Sequence, residues 1–154
     1  MSKRKNYSTR WLLNKDTTDV EHIECSAFGN GAWNKRKIRQ ILNKRNTVGL
    51  VCKYQEDIRG YIIYTLHRDH IEIVRIVVDP LYRREGVGTA MINRVIEKIG
   101  NNIKMEFIDI KVPEDNLDLQ LFLKSNKFRA CSIIKGGYEE SDRYEFVYRE
   151  SVFS

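Results

Sequence analysis

The order of apolar and polar positions along the chain predicts alternating strands and helices. Period-two alternation and runs of β-branched and aromatic residues predict seven strands, at 8–13, 47–54, 60–66, 71–78, 105–112, 128–134 and 143–148. A spacing of three and four residues predicts helices. It is clearest in the third helix, whose apolar face comprises Val87, Ala90, Met91, Val95, Ile96 and Ile99. Strands and helices in this order predict an α/β domain with a mixed sheet.

Capping and helix-breaking residues set the limits of these elements. Asp16 and Asn34 are residue types that cap helices, and each precedes a helical pattern. Gly29 separates these first two helices, and Pro113 ends the fifth strand. The fourth helix is then expected at 115–125.

Length and composition fit one domain. The chain has 154 residues, of which 42% are hydrophobic and 31% are charged, as in globular rather than disordered proteins. We expect a flexible tail at 1–8 and a single domain at 9–154. No apolar run approaches the roughly 20 residues of a membrane span, and the basic N-terminus lacks the apolar stretch of a signal peptide. These features predict a cytoplasmic protein that does not engage a membrane.

Cysteine and histidine usage predicts neither disulfides nor a metal site. Cys25, Cys52 and Cys131 are far apart and each has apolar neighbours, so we expect buried free thiols in a reducing compartment. The histidines are scattered, and no spacing typical of metal ligands occurs.

The net charge of +6 favours anionic partners, either a phosphate-bearing cofactor or an RNA-rich particle such as a ribosome. The densest basic cluster lies at 35–45 and contains no aromatic residues. Base stacking is therefore poorly supported, and we expect a solvated face without direct nucleic-acid binding.

A basic glycine loop follows the fourth strand and opens the third helix. It comprises Arg83, Arg84, Glu85, Gly86, Val87, Gly88 and Thr89. Loop amides and the positive end of a helix attract a diphosphate, and glycine lets the backbone approach it closely. An ordinary strand-to-helix turn is the alternative interpretation.

The spacing excludes several phosphate-binding motifs. Met91 stands where a Rossmann or kinase loop requires a third glycine, and Thr89 follows Gly88 where a Walker loop requires lysine. The remaining pattern, Arg-x-x-Gly-x-Gly after Asp79-Pro80, resembles the acetyl-CoA loop of the GCN5-related N-acetyltransferase (GNAT) superfamily.

Other segments extend this resemblance over about Thr9 to Tyr148. The segment 116–128 is similar to the block in which an asparagine opens a helix that ends near Gly-Phe, although Lys127 replaces the glycine. Ala27-Phe28 with Trp33, and the turn 135–138, resemble the ribosomal-protein alanine N-acetyltransferases.

The resemblance implies a GNAT fold, with a mixed, mostly antiparallel sheet of about seven strands flanked by about four helices. It implies acetyl-CoA as cosubstrate and no metal. The main chain of Ile76, Val77 and Val78 would pair with the pantetheine arm like an added strand. The loop from Arg83 to Thr89 would hold the pyrophosphate, and Asn116 would hydrogen-bond near the reacting end or serve as a plain helix cap.

Glu72 is the candidate general base. Acetyl transfer needs a neutral amine and donors for the developing oxyanion. On a regular strand Glu72 shares one face with Val74, Ile76 and Val78, and apolar neighbours would raise the pKa of its carboxyl. In histone-acetylating GNAT members a base glutamate stands at about this distance before the glycine. A solvent-facing glutamate is the alternative.

Two positions depart from the alanine N-acetyltransferases. Lys111 and Leu123 stand where that family carries a glutamate and a proton-donating tyrosine. Tyr138 is the candidate replacement acid or an acceptor contact, unless it packs on the sheet edge. Trp33 is expected to line the peptide groove or to anchor the second helix.

These features predict an N-acetyltransferase in which an amine attacks acetyl-CoA directly in a ternary complex. A protein or peptide N-terminus is the favoured acceptor, and a ribosomal protein is one candidate. A protein lysine, a small amine and a non-catalytic acetyl-CoA-binding role stay open as alternatives.

Overall fold

A central sheet and the helices on its two faces form the part of the protein that the computed structural model describes, residues 6–102, 104–138 and 140–150. The strands are β1 Ser8–Trp11, β2 Thr47–Tyr54, β3 Asp57–Leu66, β4 His70–Val78, β5 Phe107–Pro113, β6 Arg129–Ile134 and β7 Arg143–Arg149. The helices are α1 Thr17–Phe28, α2 Lys35–Leu42, α3 Val87–Gly100 and α4 Leu117–Ser125. The predicted α/β fold is confirmed.

The sheet order is β1-β2-β3-β4-β5-β7-β6. β4 and β5 are parallel, and the other neighbouring strands are antiparallel. A parallel pair requires a crossover connection, which α3 supplies. The loop that opens α3 therefore follows the end of β4 directly.

Each face of the sheet has its own apolar core. On one face, α3 packs through Val87, Met91 and Val95 against β2, β3 and β4. On the other face, Val20 of α1 and Ile38 of α2 pack against the central strands. The apolar periodicities predicted for these helices are confirmed.

β4 contains one extra residue that changes the direction of its side chains. Ile63 of β3 pairs with Arg75, whereas the next residue, Tyr64, pairs with Ile73, so Val74 has no opposite residue. A bulge of this kind interrupts the alternation of a strand. Ile76 and Val78 therefore lie in the α3 core together with Ile73, whereas Val77 lies in the core beneath α1 and α2.

Two expectations about side chains are wrong. Asp16 is not a side-chain cap of α1, because its carboxylate accepts hydrogen bonds from Arg10 and from the Leu13 amide. Cys52 is buried as expected, but Cys25 and Cys131 are exposed. Cys25 lies outside the buried face of α1, and Cys131 lies on the edge strand β6, most of whose residues are exposed.

Part of the N-terminal segment 1–8 lies outside the described residues, and β1 begins at Ser8. The Tyr7 hydroxyl donates a hydrogen bond to the backbone oxygen of Glu85, at 2.8 Å. Among the described residues, no helix is long and apolar enough to cross a bilayer.

Candidate active site

A gap opens between β4 and β5 where the two parallel strands part. Within the described residues they pair over His70–Ile73 and Phe107–Ile110. Beyond this point β4 continues to Val78 along β3, and β5 continues to Pro113 along β7. The edge of 74–78 that faces β5 therefore has no partner strand in the described structure, and its backbone groups are available to an added strand.

The glycine loop closes one end of this gap. Arg84 and Gly86 have φ values of 64° and 90°, so the loop twice enters the left-handed region. α3 begins at Val87, and its first backbone bond runs from the Ala90 amide to the Gly86 oxygen, at 3.0 Å. The three preceding amides, of Val87, Gly88 and Thr89, therefore lack intrahelical acceptors and lie at the positive end of the helix.

α4 packs directly on this loop because residue 88 is glycine. A Cβ atom at Gly88 would lie 2.8 Å from Cζ of Phe122. At the start of α4, Asn116 caps the helix and its Oδ1 accepts a hydrogen bond from the Leu119 amide at 3.2 Å. Leu123, on the same helix, is fully buried in the core. A leucine side chain has no proton to donate, so this position supplies no general acid.

The candidate base lies where the gap begins. Glu72 Oε2 is 3.1 Å from Nζ of Lys111, and Glu72 Oε1 is 2.9 Å from Nε2 of His67. Lys111 Nζ also lies 3.2 Å from Oδ2 of Asp109, a carboxylate that is only 2% exposed. A lysine and a histidine thus flank Glu72, and the apolar surroundings expected for it are absent.

The expected rise in the pKa of Glu72 is wrong. Burial alone would raise this pKa, but the hydrogen bonds from His67 and Lys111 and their charges outweigh it, and the pKa lies below its ordinary value. Burial raises the pKa of the Asp109 carboxyl despite its contact with Lys111. Burial alone would lower the pKa of the Lys111 amine, but the hydrogen bonds of Lys111 to Glu72 and Asp109 outweigh this effect, and the pKa lies above its ordinary value. Glu72 is therefore a carboxylate at neutral pH.

The bulge at Val74 explains why the surroundings of Glu72 were predicted wrongly. The prediction placed Glu72 on the face of Ile76 and Val78, as a regular strand requires. The interrupted alternation instead turns those two side chains into the α3 core. Glu72 meets Lys111, which alternates with the core residue Ile110 and so lies on the other face of the sheet.

Sequence reasoning also missed His67 and Asp109. Alternation in β5 could have placed Asp109 and Lys111 on one face, since they alternate with the apolar residues Ile108, Ile110 and Val112. The contact of His67 with Glu72 follows from the turn between β3 and β4, which no local motif specifies.

The α1–α2 connection is fixed to β4 by one cation. The guanidinium of Arg75 lies between the rings of Phe28 and Trp33, 4.0 and 4.1 Å from their centroids. Two hydrogen bonds, of 3.0 and 2.8 Å, join it to Glu24, which is fully buried on α1. Trp33 is thus half-buried beside the strand that bears Glu72.

Tyr138 is not brought to this cluster by any contact in the described structure. Its side chain is fully exposed, in the connection between β6 and β7. Its expected role as acid or acceptor contact stays a prediction.

The site has the features that a nucleotide thioester requires. The unpaired edge of β4 can receive an extended arm, and the loop amides with Arg83 and Arg84 can receive a diphosphate. Within the described residues, no group of three or more His, Cys, Asp or Glu side chains is arranged to hold a metal ion.

Comparison with known proteins agrees with this geometry. Residues 9–128 match the model of the acetyltransferase (GNAT) family. None of the curated proteins compared with the chain is similar enough to match it.

Several solved structures share the fold. The ribosomal-protein-S18-alanine N-acetyltransferase of Escherichia coli superposes with a TM-score of 0.82 at 18% identity, over 95% of each chain. NAA60 of Arabidopsis thaliana in complex with acetyl-CoA gives 0.78 at 17% identity, over 94% of this chain and 100% of that one. Naa50 of the same plant, in complex with the bisubstrate analogue CoA-Ac-MVNAL, gives 0.75 at 19% identity, over 94% and 99%.

The family match covers most of the chain, including the parted strands, the glycine loop and the start of α4. The chain therefore belongs to the GNAT family and is an acetyl-CoA-dependent N-acetyltransferase.

Proposed function

We propose that this enzyme acetylates the α-amine at the N-terminus of a protein or peptide, by direct attack in a ternary complex, with Glu72 as general base. The observation that carries the proposal is the position of Glu72, an anionic carboxylate where β4 and β5 part. Two structural neighbours support a protein or peptide N-terminus as the acceptor. One is named as a ribosomal-protein-S18-alanine N-acetyltransferase, and the other is Naa50 in complex with the bisubstrate analogue CoA-Ac-MVNAL.

The cosubstrate supplies the activated acetyl group, and three parts of the chain would hold it. The main chain of Ile76, Val77 and Val78 would pair with the pantetheine arm. The pyrophosphate would lie against Arg83, Arg84, Glu85, Gly86, Val87, Gly88 and Thr89. Because Oδ1 of Asn116 caps α4, its amide nitrogen is the group left to donate toward the reacting end.

The low pKa of Glu72 supports an α-amine over a lysine. An α-amine loses its proton about two units below a lysine amine, which lowers the cost of deprotonation by about 3 kcal/mol. A weak base such as this carboxylate therefore serves the α-amine better. Trp33 and Tyr138 are the proposed acceptor contacts, and a ribosomal protein is one candidate acceptor. The three free cysteines, two of them exposed, support a reducing, cytoplasmic location.

The test compares Glu72→Gln with the wild type on two matched peptides. One has a free N-terminus and no lysine, and the other has a blocked N-terminus and one lysine. We expect acetylation of the first peptide, and a fall in kcat of about 100-fold for the variant, because glutamine cannot accept the proton. Thioester consumption and mass spectrometry measure the two outcomes.

Glu97→Gln is the matched control, because Glu97 is an exposed α3 residue paired with Arg94. Its kcat should equal that of the wild type, and coenzyme A should bind both variants with unchanged Kd. Equal rates for Glu72→Gln and the wild type would exclude Glu72 as base. A product acetylated only on lysine would exclude the α-amine, and coenzyme A binding without turnover of either peptide would favour a small amine as the acceptor.

A further inference from the structure

Tyr7, which directly precedes β1, contacts the glycine loop. Its hydroxyl donates a hydrogen bond of 2.8 Å to the backbone oxygen of Glu85. Its ring lies beside the next residue of the loop, since a Cβ atom at Gly86 would be 3.8 Å from Cε2 of Tyr7. Tyr7 therefore covers one side of the peptide that joins Glu85 to Gly86.

The hydrogen bond from Tyr7 fixes the direction of the Gly86 amide. The carbonyl oxygen and the N–H group of a trans peptide point in opposite directions, and the peptide between Glu85 and Gly86 is trans. Because the Glu85 oxygen points toward Tyr7, the Gly86 amide points away from it. No acceptor for this amide occurs among the described residues. The amide is therefore available to a ligand on the side opposite Tyr7.

We propose that Tyr7 is a positioning residue for the cosubstrate: its hydroxyl holds the Gly86 amide in the direction of the diphosphate of acetyl-CoA. Gly86 then binds the diphosphate together with the free amides at the start of α3, which follow it directly in the chain. This inference rests on the proposed function, which assigns the diphosphate to the glycine loop.

The loop needs a contact from outside because its own conformation is unfavourable. Arg84 and Gly86, on either side of Glu85, have φ values of 64° and 90°. The left-handed region is unfavourable for a residue with a Cβ atom, as Arg84 is. Such a backbone persists where the surrounding structure fixes it, and the hydrogen bond from Tyr7 to Glu85 supplies a fixed point between the two residues.

Tyr7 is held in turn by a stack of side chains on the sheet. Its ring packs edge-on against that of Tyr54 at the end of β2, with centroids 6.1 Å apart. The guanidinium of Arg59 lies between the rings of Tyr54 and Tyr82, 4.5 and 4.0 Å from their centroids. Arg59 is buried, and its Nε and Nη1 have no hydrogen-bond partner within the described part of the chain, so the two rings are what stabilise its charge. Tyr7 and the residue that precedes the loop, Tyr82, thus rest on one support.

The test compares the binding of coenzyme A with that of pantetheine, which lacks the diphosphate and the nucleotide. Tyr7→Phe keeps the ring and removes only the hydroxyl. We expect the Kd of coenzyme A to rise about 3- to 10-fold, because the Gly86 amide is no longer held toward the diphosphate, and the Kd of pantetheine to stay unchanged. Calorimetry measures the first Kd directly and the second by competition.

Tyr148→Phe is the matched control, because it removes the same group from a half-buried tyrosine of β7 that packs on Phe128. It should change neither Kd. An unchanged Kd of coenzyme A in Tyr7→Phe, or an equal rise for both ligands, would overturn the role of Tyr7 while leaving the proposed function standing. A wild type that binds coenzyme A no more tightly than pantetheine would instead overturn the assignment of the diphosphate to the loop, and the role of Tyr7 with it.

Discussion

Three buried carboxylates beside the sheet are each matched to one basic side chain. Asp16 pairs with Arg10, Glu24 with Arg75 and Asp109 with Lys111. Burying a carboxylate is costly unless a cation and hydrogen bonds compensate. The first two pairs join different elements, whereas Asp109 and Lys111 both lie on β5. The first two pairs therefore fix where β1 and α1 lie as well as stabilising them.

Asp16→Ala should lower the free energy of unfolding at pH 7 by about 2–3 kcal/mol, because Arg10 would lose its partner. The Asp16 carboxylate is 3% exposed and accepts bonds of 2.7 and 2.9 Å from Arg10 and 2.8 Å from the Leu13 amide. The Arg10 hydrogen bond, opposed by burial, holds the pKa of Asp16 below its ordinary value. A lowered folded-state pKa stabilises the protein above the unfolded-state pKa, and this contribution is lost as the pH falls through the folded-state value.

Urea denaturation of the wild type and Asp16→Ala at pH 7 and near pH 3 measures this difference. It should be smaller at the lower pH. Asp19→Ala, on the exposed side of the same helical turn, should cost less than about 1 kcal/mol. A difference that does not change with pH would show that the carboxylate charge is not what stabilises this junction.

Among the strands, β4 shows what local sequence patterns can and cannot predict. Its limits were predicted within one residue, because an apolar run of that length is unambiguous. The direction of Glu72 was predicted wrongly, because the extra residue at Val74 depends on pairing with β3. The contacts of Glu72 with Lys111 and His67 depend on the parallel pairing of β4 with β5 and on a turn, so no local pattern contains them. The glycine loop was predictable because a left-handed glycine and a helix start are both local features.

Arg75→Lys should loosen the α1–α2 connection without unfolding the protein. Lysine keeps the charge beside buried Glu24, but it lacks the planar fork that bonds this carboxylate twice and stacks between Phe28 and Trp33. We expect a loss of about 1–2 kcal/mol in stability and a several-fold higher KM for the peptide acceptor, with KM for acetyl-CoA unchanged.

Fluorescence quenching checks the loosening directly. In a Trp11→Phe background Trp33 is the remaining tryptophan, and acrylamide should quench it more strongly after Arg75→Lys. Arg94→Lys, which alters a surface pair with Glu97, is the control and should leave both quenching and KM unchanged. A rise in KM without greater quenching would contradict a role through the position of Trp33.

For the protein as a whole, the location of its charge is more informative than the net value. The net charge is +6, and two basic groups contribute to it at very different places. Arg83 and Arg84 belong to the loop between β4 and α3, whereas Arg36 and Lys37 lie on α2. Long-range attraction of an anionic cofactor depends on all four side chains, whereas short-range binding of its diphosphate depends on Arg83 and Arg84.

Two double variants separate these contributions, because each removes two positive charges. Arg83→Gln/Arg84→Gln should weaken coenzyme A binding about tenfold, since charge-assisted hydrogen bonds to phosphate are lost. Arg36→Gln/Lys37→Gln should change Kd less than about twofold, because these exposed charges lie on α2, outside the loop, and salt screens exposed charges. Calorimetry at about 50 and 300 mM NaCl measures both, and the salt dependence should be weaker in the loop variant than in the wild type. Equal effects of the two variants would mean that overall charge, and not the loop after β4, attracts the cofactor, and the assignment of the diphosphate to this loop would then fail.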